Sequence, residues 1–306
     1  MPPPPDLSHH ILPESESRRI FTTEILPADL PPTLTPHPSR GRPLAVLIVG
    51  QTGAGKTRTA LPILSAMTRT HPPAHFIADV YKAHHPAYLS LLASDDSSAH
   101  ASPATSPDAR KWLAMAVAEA ISRKLDVLLE SACRHPDDFR ELARMFGEAG
   151  YRVEVIVMAV PAALSRLGIL HRFHERLPEA GSRNLPIRLT PVKIHDDSYH
   201  GLMSVAEWID EVNFVDRVSV VRRGNMVAFS DEKAEGSRLP RKVAEALIKE
   251  RERPLTPEER SSAARDLEKL EERDAKLARE VMALLEPLSR DGVEGYPELR
   301  PLEFGW

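Results

Sequence analysis

A short glycine-rich segment placed directly after an apolar run constrains this chain most. The segment reads Gly50-Gln51-Thr52-Gly53-Ala54-Gly55-Lys56-Thr57 and matches the pattern G-x-x-x-x-G-K-[ST] in full. The preceding run, Leu44–Val49, is continuously apolar, as in a strand buried on both faces of a parallel sheet. A helix is predicted to follow from Lys56 to Arg69. Because glycines let successive N–H groups turn towards an anion at a helix N-terminus, this unit predicts a loop that binds nucleotide phosphates.

Two side chains of this loop have separate chemical tasks. Lys56 should reach the β- and γ-phosphates as a catalytic cation, and the Thr57 hydroxyl should ligate the accompanying Mg²⁺. The guanine-selecting motif N-K-x-D is absent from the sequence, and no apolar run ends in Asp-Glu as in many motor ATPases. The pattern therefore favours ATP and Mg²⁺ as cofactors and a phosphotransferase as the class of protein.

The order of predicted elements after this loop indicates the fold class. Strands are predicted near His75–Ala78, Asp126–Glu130 and Arg152–Met158, and helical segments lie between them. This alternation predicts an α/β fold, a P-loop kinase-like parallel sheet flanked by helices. Val215–Val221 and Met226–Phe229 are joined by a turn that contains Gly-Asn, which predicts a hairpin.

The two ends of the chain differ in composition from this core. Residues 1–42 are rich in proline, serine and charge, which predicts a largely irregular, disordered arm with one short helix near Glu14–Ile20. Residues 43–232 are expected to form the α/β domain, and residues 233–306 a charged helical C-terminal extension.

The extension carries two helix signals. Thr256-Pro257-Glu258-Glu259 has the pattern of a capping box. Leu270, Leu277 and Leu284 recur every seven residues, but Asp274 interrupts the parallel series of apolar positions. The pattern favours a helix that packs on the domain or pairs with one neighbour over a long coiled coil.

Composition limits the partners and the location. The net charge of −4 provides no global basic field, so no nucleic-acid partner is expected. The single cysteine, Cys133, cannot form an internal disulfide, which fits a reducing compartment. No secretory signal and no apolar stretch of ~20 residues is present in the sequence, which predicts no membrane association and a cytoplasmic location.

Two acidic residues lie at predicted strand ends, where α/β enzymes place their chemistry. Asp79 follows the strand at His75–Ala78, and Glu130 follows Val127–Leu129. A small-molecule kinase needs a carboxylate that accepts the proton of the attacking hydroxyl, and cations that stabilise the transferred phosphoryl group. Two alternatives stay open: Asp79 caps a helix that starts at Val80, and Glu130 is a solvated boundary residue or lies in the outer shell of Mg²⁺.

A series of blocks in the same order resembles the zeta toxin family of bacterial toxin–antitoxin systems. The resemblance covers about Leu44–Phe229. Beyond the P-loop, the matching blocks are Asp79–Pro86, Glu130–Arg134, Tyr151–Pro161, Arg172, and Arg188–Pro191 with His195-Asp196.

The resemblance implies a reaction and a role for each matching residue. Zeta toxins are ATP-dependent kinases that phosphorylate a hydroxyl of UDP-N-acetylglucosamine and so deplete a cell-wall precursor. By resemblance, Asp79 is the general base, Glu130 and Arg134 contact the sugar nucleotide, and Arg172 and Arg188 are catalytic cations that hold the phosphates. A small helical antitoxin blocks the ATP site in the family. Because the arm is too rich in proline to form a built-in helical antitoxin, that partner is expected to be a separate polypeptide.

The chain also departs from the family pattern near the expected sugar-nucleotide site. Ile77 replaces a frequent acidic residue, and Ser131-Ala132-Cys133 replaces a segment that usually contains Gly and Thr. The acceptor therefore stays open between a UDP-sugar and another metabolite or antibiotic. A further alternative is a catalytically degenerate member that binds nucleotide and acts through its tail as a partner module.

Other conspicuous side chains receive structural interpretations. The histidines do not have the spacing of a compact metal site. The pair His195-Asp196 is expected to be hydrogen-bonded and to order the Arg188 loop. Cys133 follows a buried strand without an obvious activator, which predicts an inert thiol. The cluster Arg217–Arg223 is interpreted as a solvated hairpin.

Overall fold

The predicted phosphate-binding loop follows the central strand of a single sheet. The computed structural model describes residues 6–94, 100–182, 189–234, 237–289 and 294–304. Within these ranges the sheet has the order β2-β3-β1-β4-β5-β6-β7. Its strands are β1 (Leu44–Val49), β2 (Ala74–Ile77), β3 (Val127–Ser131), β4 (Arg152–Met158), β5 (Val215–Arg222), β6 (Met226–Glu232) and β7 (Arg300–Pro301).

Strands β1 to β5 are parallel, so their carboxyl ends meet at one edge of the sheet. All six residues of β1 are buried, as expected of an apolar run covered on both faces. Register places Ile48 opposite Glu130 and Ile77 opposite the same glutamate, which brings the predicted acidic positions beside the loop. The predicted hairpin is β5 and β6, which are antiparallel. The α/β, P-loop kinase-like class predicted from the sequence is confirmed.

Helices cover both faces of this sheet. In the described residues they are α1 (Glu14–Ile20), α2 (Leu26–Asp29), α3 (Lys56–Thr70), α4 (Tyr88–Ala93), α5 (Ala101–Ser122), α6 (Pro136–Glu148), α7 (Ala162–Ser182), α8 (Val192–Glu211), α9 (Val243–Glu252), α10 (Pro257–Glu271) and α11 (Ala275–Leu285). Shorter turns are the 3₁₀ segments Ser8–His10, Val80–His84 and Glu286–Leu288 and a π-helical turn at Phe21–Ile25. None of the described helices is long and apolar enough to cross a bilayer.

Helix α5 contains a proline in its interior. The helix begins at Ala101, so Pro107 lies within it. Ala101 and Ala104 are buried, and the Thr105 hydroxyl donates to the Ala101 carbonyl at 2.8 Å. Burial of this first turn outweighs the usual cost of an internal proline.

The prediction of a largely irregular, disordered N-terminal arm is wrong for residues 21–29. Helix α1 is the short helix predicted near Glu14–Ile20, but the chain continues through the turn Phe21–Ile25 into α2. Ile20, Ile25 and Leu30 are at most 2% exposed and belong to the core. The Arg123 guanidinium holds the following, irregular part of the arm by donating to three of its carbonyls. Burial against α5 therefore stabilises a segment whose composition alone suggested disorder.

The C-terminal extension packs on the domain as a pair of helices, as the favoured interpretation stated. Leu270, Val281 and Leu285 are buried in the same hydrophobic cluster as residues of β1, α3 and α7. Asp274 separates α10 from α11, and its carboxylate accepts the N–H groups of the first α11 residues. The capping box at Thr256 is present with both of its hydrogen bonds. The extension and the α/β domain share this hydrophobic cluster, and the cluster does not mark a division between them. The domain boundary predicted at residue 232 therefore stays a prediction.

Candidate active site

The loop Gly50–Thr57 connects the end of β1 to the start of α3. Gly53 and Gly55 have φ values of 81° and 100°, which side chains disfavour. A Cβ on Gly53 would also lie 2.1 Å from the Ser165 carbonyl oxygen. The first N–H groups of α3 have no intrahelical partners and face an anion favourably. The expected strand–loop–helix geometry is present, and the nucleotide contacts of Gly50, Gln51, Thr52, Gly53, Ala54, Gly55, Lys56 and Thr57 stay predictions.

A buried hydrogen-bond network supports this loop from the side of α7 and α8. The Gln51 amide donates to the Ser165 hydroxyl at 3.1 Å, and that hydroxyl lies 2.8 Å from His195 Nε2. His195 Nδ1 lies 2.9 Å from the Asp196 carboxylate, so the predicted pair is present. Burial, opposed by Asp196, lowers the pKa of His195 and favours the neutral imidazole. The pair thus orders the P-loop, and Arg188, which it was expected to order, lies outside the described residues.

Lys56 lies in the loop Gly50–Thr57, which is predicted to bind the nucleotide phosphates. Its ammonium donates to the Gly50 carbonyl at 3.0 Å. Burial lowers the pKa of Lys56, and the charges of Asp79 and Glu130 oppose that shift. The electrostatic field of Asp79 therefore reaches the lysine of the phosphate-binding loop.

The carboxylate of Asp79 lies at the junction of two adjoining cavities. The larger, about 380 Å³, is bordered by Thr52 of the P-loop and by residues of α5, α7 and α8. The smaller, about 90 Å³, lies between α5, α6 and the end of β3. Asp79 and Lys82 border both cavities. A group bound in one cavity can therefore meet a group bound in the other beside Asp79.

Asp79 is ionised and accessible in this position. Its side chain is 62% exposed, and Lys82 Nζ lies 2.9 Å from its carboxylate. Desolvation acts to raise the pKa of Asp79, but Lys82, Lys56 and Arg172 outweigh it and hold the pKa below its ordinary value. A 3₁₀ turn does begin at Val80, yet the Asp79 side chain makes no capping hydrogen bond to the described residues. The geometry thus favours the base interpretation over the helix cap.

Glu130 lies beside the P-loop residue Thr57 and does not border either of the two cavities that meet at Asp79. Its side chain is 1% exposed. The Thr57 hydroxyl donates to it at 2.9 Å, and His75 Nε2 lies 3.0 Å from its other oxygen. These contacts favour the Mg²⁺ alternative over direct contact with a sugar nucleotide. Its role in substrate binding stays a prediction that the geometry does not support.

The predicted cations are distributed over both cavities. Arg172 is an exposed residue of α7 that borders the larger cavity together with Arg176. Arg134 borders the smaller cavity, and its Nε is buried without a hydrogen-bond partner among the described residues. Leu189–Pro191, which follow Arg188 in sequence, line the larger cavity. The position of Arg188 itself is not described.

Two side chains that contact residues of the site, Lys82 and Arg223, were not assigned from sequence. Lys82 belongs to the matching block Asp79–Pro86, and its spacing of three from Asp79 was the available signal. The interpretation of Arg217–Arg223 as a solvated hairpin is wrong at its end. Arg222 is fully buried, and Arg223 donates to the carbonyl of Gly53 in the P-loop. No local pattern reveals this, because the partners of both arginines are distant in sequence.

Cys133 has the properties expected of an inert thiol. It is 2% exposed, although it borders the smaller cavity. Burial raises the pKa of this thiol to about 12. The thiolate needed for nucleophilic chemistry is therefore scarce at neutral pH.

Comparison with known proteins agrees with this arrangement. Toxin PezT of Streptococcus pneumoniae serotype 4 (strain ATCC BAA-334 / TIGR4) is 24% identical over 194 residues, which are 62% of this chain and 73% of PezT. A solved structure of the PezAT chromosomal toxin-antitoxin system of S. pneumoniae shares the fold at a TM-score of 0.64 and 18% identity, covering 92% of this chain and 100% of that one. The family model described as Zeta toxin matches residues 32–235, more than half of the sequence. The chain therefore belongs to the zeta toxin family.

Proposed function

We propose that this protein is an ATP- and Mg²⁺-dependent kinase that phosphorylates a hydroxyl of UDP-N-acetylglucosamine or a related UDP-sugar. Family membership supports the reaction class, and the position of Asp79 carries the proposal. Its ionised carboxylate borders both cavities and lies in the field of Lys56. A base between a donor and an acceptor is the arrangement that phosphoryl transfer to a hydroxyl requires.

The side chains divide the reaction between them. Asp79 accepts the proton of the acceptor hydroxyl as the oxygen forms its bond to the γ-phosphorus. The bond from that phosphorus to the bridging oxygen breaks, and ADP leaves. Lys56 and Arg172 stabilise the negative charge on the phosphoryl group during transfer, and Arg188 is proposed to do so as well. Lys82 keeps Asp79 ionised through its contact at 2.9 Å.

Thr57 would hold Mg²⁺, and Glu130 would support it from the outer shell of the ion. A hydroxyl and a carboxylate are oxygen ligands of the kind that this hard cation prefers, and they lie 2.9 Å apart beside the P-loop. When bound, the ion supplies neutralisation of the β- and γ-phosphate charge. Because Glu130 is buried, we assign it to orienting Thr57 and the water shell of the ion.

The charges around the two cavities suit an anionic acceptor. Arg172 and Arg176 border the larger cavity, whereas Arg110 and Arg134 border the smaller one. Planar guanidinium groups bind diphosphates in bidentate geometry. The unpartnered buried Nε of Arg134 is a donor available for such an anion. These features support a nucleoside-diphosphate sugar as the substrate class.

The biological consequence is proposed from the family and the resemblance together. Phosphorylation of a cell-wall precursor in the cytoplasm would inhibit growth, and a separate small helical antitoxin would neutralise the toxin. The larger cavity, which is bordered by Thr52 of the P-loop and by α7, is the region that we propose such a partner covers. We assign no role in neutralisation to the N-terminal arm, because Ile20, Ile25 and Leu30 anchor it in the core.

The test is direct phosphoryl transfer. The full chain is incubated with ATP, Mg²⁺ and a panel of UDP-sugars, and phosphorylated products are detected by mass spectrometry. Asp79→Asn should abolish the product, whereas Asp137→Asn should not, because Asp137 is a 91% exposed partner of Arg140 on the surface. No transfer to any UDP-sugar would refute the substrate assignment. Transfer to another hydroxyl compound would reassign the acceptor, and growth inhibition that survives Asp79→Asn would favour a non-catalytic partner module.

A further inference from the structure

An arginine from the β5–β6 turn reaches the back of the phosphate-binding loop. Arg223 Nη2 donates to the carbonyl of Gly53 at 2.9 Å and to the carbonyl of Leu164 in α7 at 2.8 Å. One guanidinium nitrogen therefore connects the P-loop to α7. Hydrogen bonds from a charged donor are stronger than those between neutral groups.

A glycine of α7 provides the space for this contact. A Cβ on Gly168 would lie 2.7 Å from Arg223 Nη2 and 2.7 Å from the Gly53 carbonyl oxygen. The second of these atoms belongs to the backbone, which cannot move aside as a flexible side chain can. Gly168 is thus the residue that allows α7, the loop and Arg223 to meet.

The contact determines the orientation of one peptide group in the loop. Gly53 has a φ of 81°, and its carbonyl oxygen accepts from Arg223 Nη2. Because a peptide group is planar and trans, the N–H of Ala54 points the opposite way, where it donates to the Gln51 carbonyl at 3.1 Å. Holding the Gly53 carbonyl therefore stabilises the turn that precedes the N-terminus of α3.

The C-terminal extension keeps this part of the hairpin in place. The fully buried guanidinium of Arg222 donates to the Glu259 carboxylate at 3.2 and 2.5 Å and to the Glu250 carbonyl. Glu259 also closes the capping box of α10. Both acceptors lie outside residues 32–235, the part of the chain that the family model matches. The extension thus fixes the residue next to Arg223.

We propose that Arg223 is a positioning residue for the nucleotide phosphates and that the C-terminal extension supports the P-loop through the buried pair Arg222–Glu259. The inference rests on the proposed ATP-dependent function. It assigns the extension a part in nucleotide binding: the extension fixes the hairpin, the hairpin places Arg223, and Arg223 holds the Gly53 peptide.

The test compares two arginines that donate to backbone carbonyls. Arg223→Gln should raise the ATP Kd by about tenfold in isothermal titration of the full chain, because the Gly53 peptide must then be ordered when ATP binds, at a cost about the size of one hydrogen bond from a charged donor. Arg223→Lys should recover part of the affinity. The control is Arg123→Gln, since Arg123 donates to Leu30, Pro31 and Leu34 in the arm and has no P-loop contact among its hydrogen bonds in the described residues. It should lower the unfolding midpoint without changing the ATP Kd.

Steady-state kinetics and a second pair of variants complete the test. Arg223→Gln should raise the KM for ATP and leave the KM for the acceptor unchanged, which a general loss of stability would not do. Gly168→Ala and Glu259→Gln should weaken ATP binding in the same direction. ATP binding of Arg223→Gln equal to that of the wild type or of Arg123→Gln would overturn the proposal. If Arg223→Gln does not fold, a Gly168→Ala variant that binds ATP with the wild-type affinity would overturn the proposal instead. A wild type that binds no ATP would refute the proposed function itself.

Discussion

The Thr57 hydroxyl donates to the Glu130 carboxylate at 2.9 Å, which joins the start of α3 to the end of β3. The second oxygen of Glu130 lies 3.0 Å from His75 Nε2 in β2. The carboxylate is therefore fixed by groups on both sides and faces the predicted Mg²⁺ ligand. The sequence left open whether Glu130 acts at the Mg²⁺ ion or contacts the sugar nucleotide, and this contact favours the first role.

Replacement of Glu130 by Gln should act on the metal. The amide retains the shape of the carboxylate but loses its charge, so we expect the Mg²⁺ concentration for half-maximal activity to rise by about 10–100-fold. The acceptor KM should change little. A Mg²⁺ titration of the kinase reaction measures the first quantity. An increase in the acceptor KM with normal Mg²⁺ dependence would instead favour direct contact with the sugar nucleotide.

Replacement of Lys82 by Met should change the pH dependence of catalysis. Lys82 is the largest of the influences that lower the pKa of Asp79, which is active as a base when ionised. Removal of Lys82 raises the pKa of Asp79. As the pH is lowered, the activity of the variant should therefore fall at a higher pH than that of the wild type. The pH profile of kcat/KM measures the shift. Lys276→Met is the control, because this 84% exposed lysine pairs with Glu280 in the extension. Identical acidic limbs for Lys82→Met and the wild type would contradict the assigned base.

Replacement of Glu259 by Ala should destabilise the fold. The change removes the carboxylate that accepts from the fully buried Arg222 and leaves that guanidinium with the Glu250 carboxylate 3.8 Å away, at a cost of about 3–5 kcal/mol. It also removes one of the two hydrogen bonds of the α10 capping box, worth ~1 kcal/mol. Urea unfolding measures the loss. Glu280→Ala, at an exposed pair, should cost less than about 1 kcal/mol. Equal effects of the two substitutions would mean that the buried pair contributes no more than a surface pair.

Replacement of Ile25 by Ala should show whether the N-terminal arm belongs to the folded core. Ile25 is fully buried, so the substitution should lower the free energy of unfolding by about 2–5 kcal/mol. Ile11→Ala in the same arm is the control: Ile11 is exposed, and its substitution should stay within about 0.5 kcal/mol of the wild type. Chemical denaturation of both variants provides the comparison, and a neutral Ile25→Ala would argue for an arm detached from the core.

Local patterns were sufficient wherever the physical cause is local. The apolar run Leu44–Val49 and the glycines after it specify a buried strand and a tight loop, because left-handed backbone conformations and burial on both faces leave few alternatives. The capping box at Thr256 is equally local, since its two hydrogen bonds lie within four residues. The resemblance to zeta toxins favoured the base role of Asp79, which the strand-end rule alone could not distinguish from a helix cap, and it added Arg172 and Arg188 as candidates.

The remaining features depend on contacts between distant parts of the chain. Arg223 and Gly53 are 170 residues apart, and Arg222 is separated by 37 residues from Glu259, so the hairpin arginines resembled a solvated surface in the sequence. Ile25 looked like part of an irregular arm because its burial depends on the packing of α5. The sequence by itself determined the phosphate-binding loop and the α/β class, since backbone conformation and apolar periodicity encode both. Only the tertiary structure decided which charges are buried and paired, because desolvation and ion pairing are properties of residues brought together by folding.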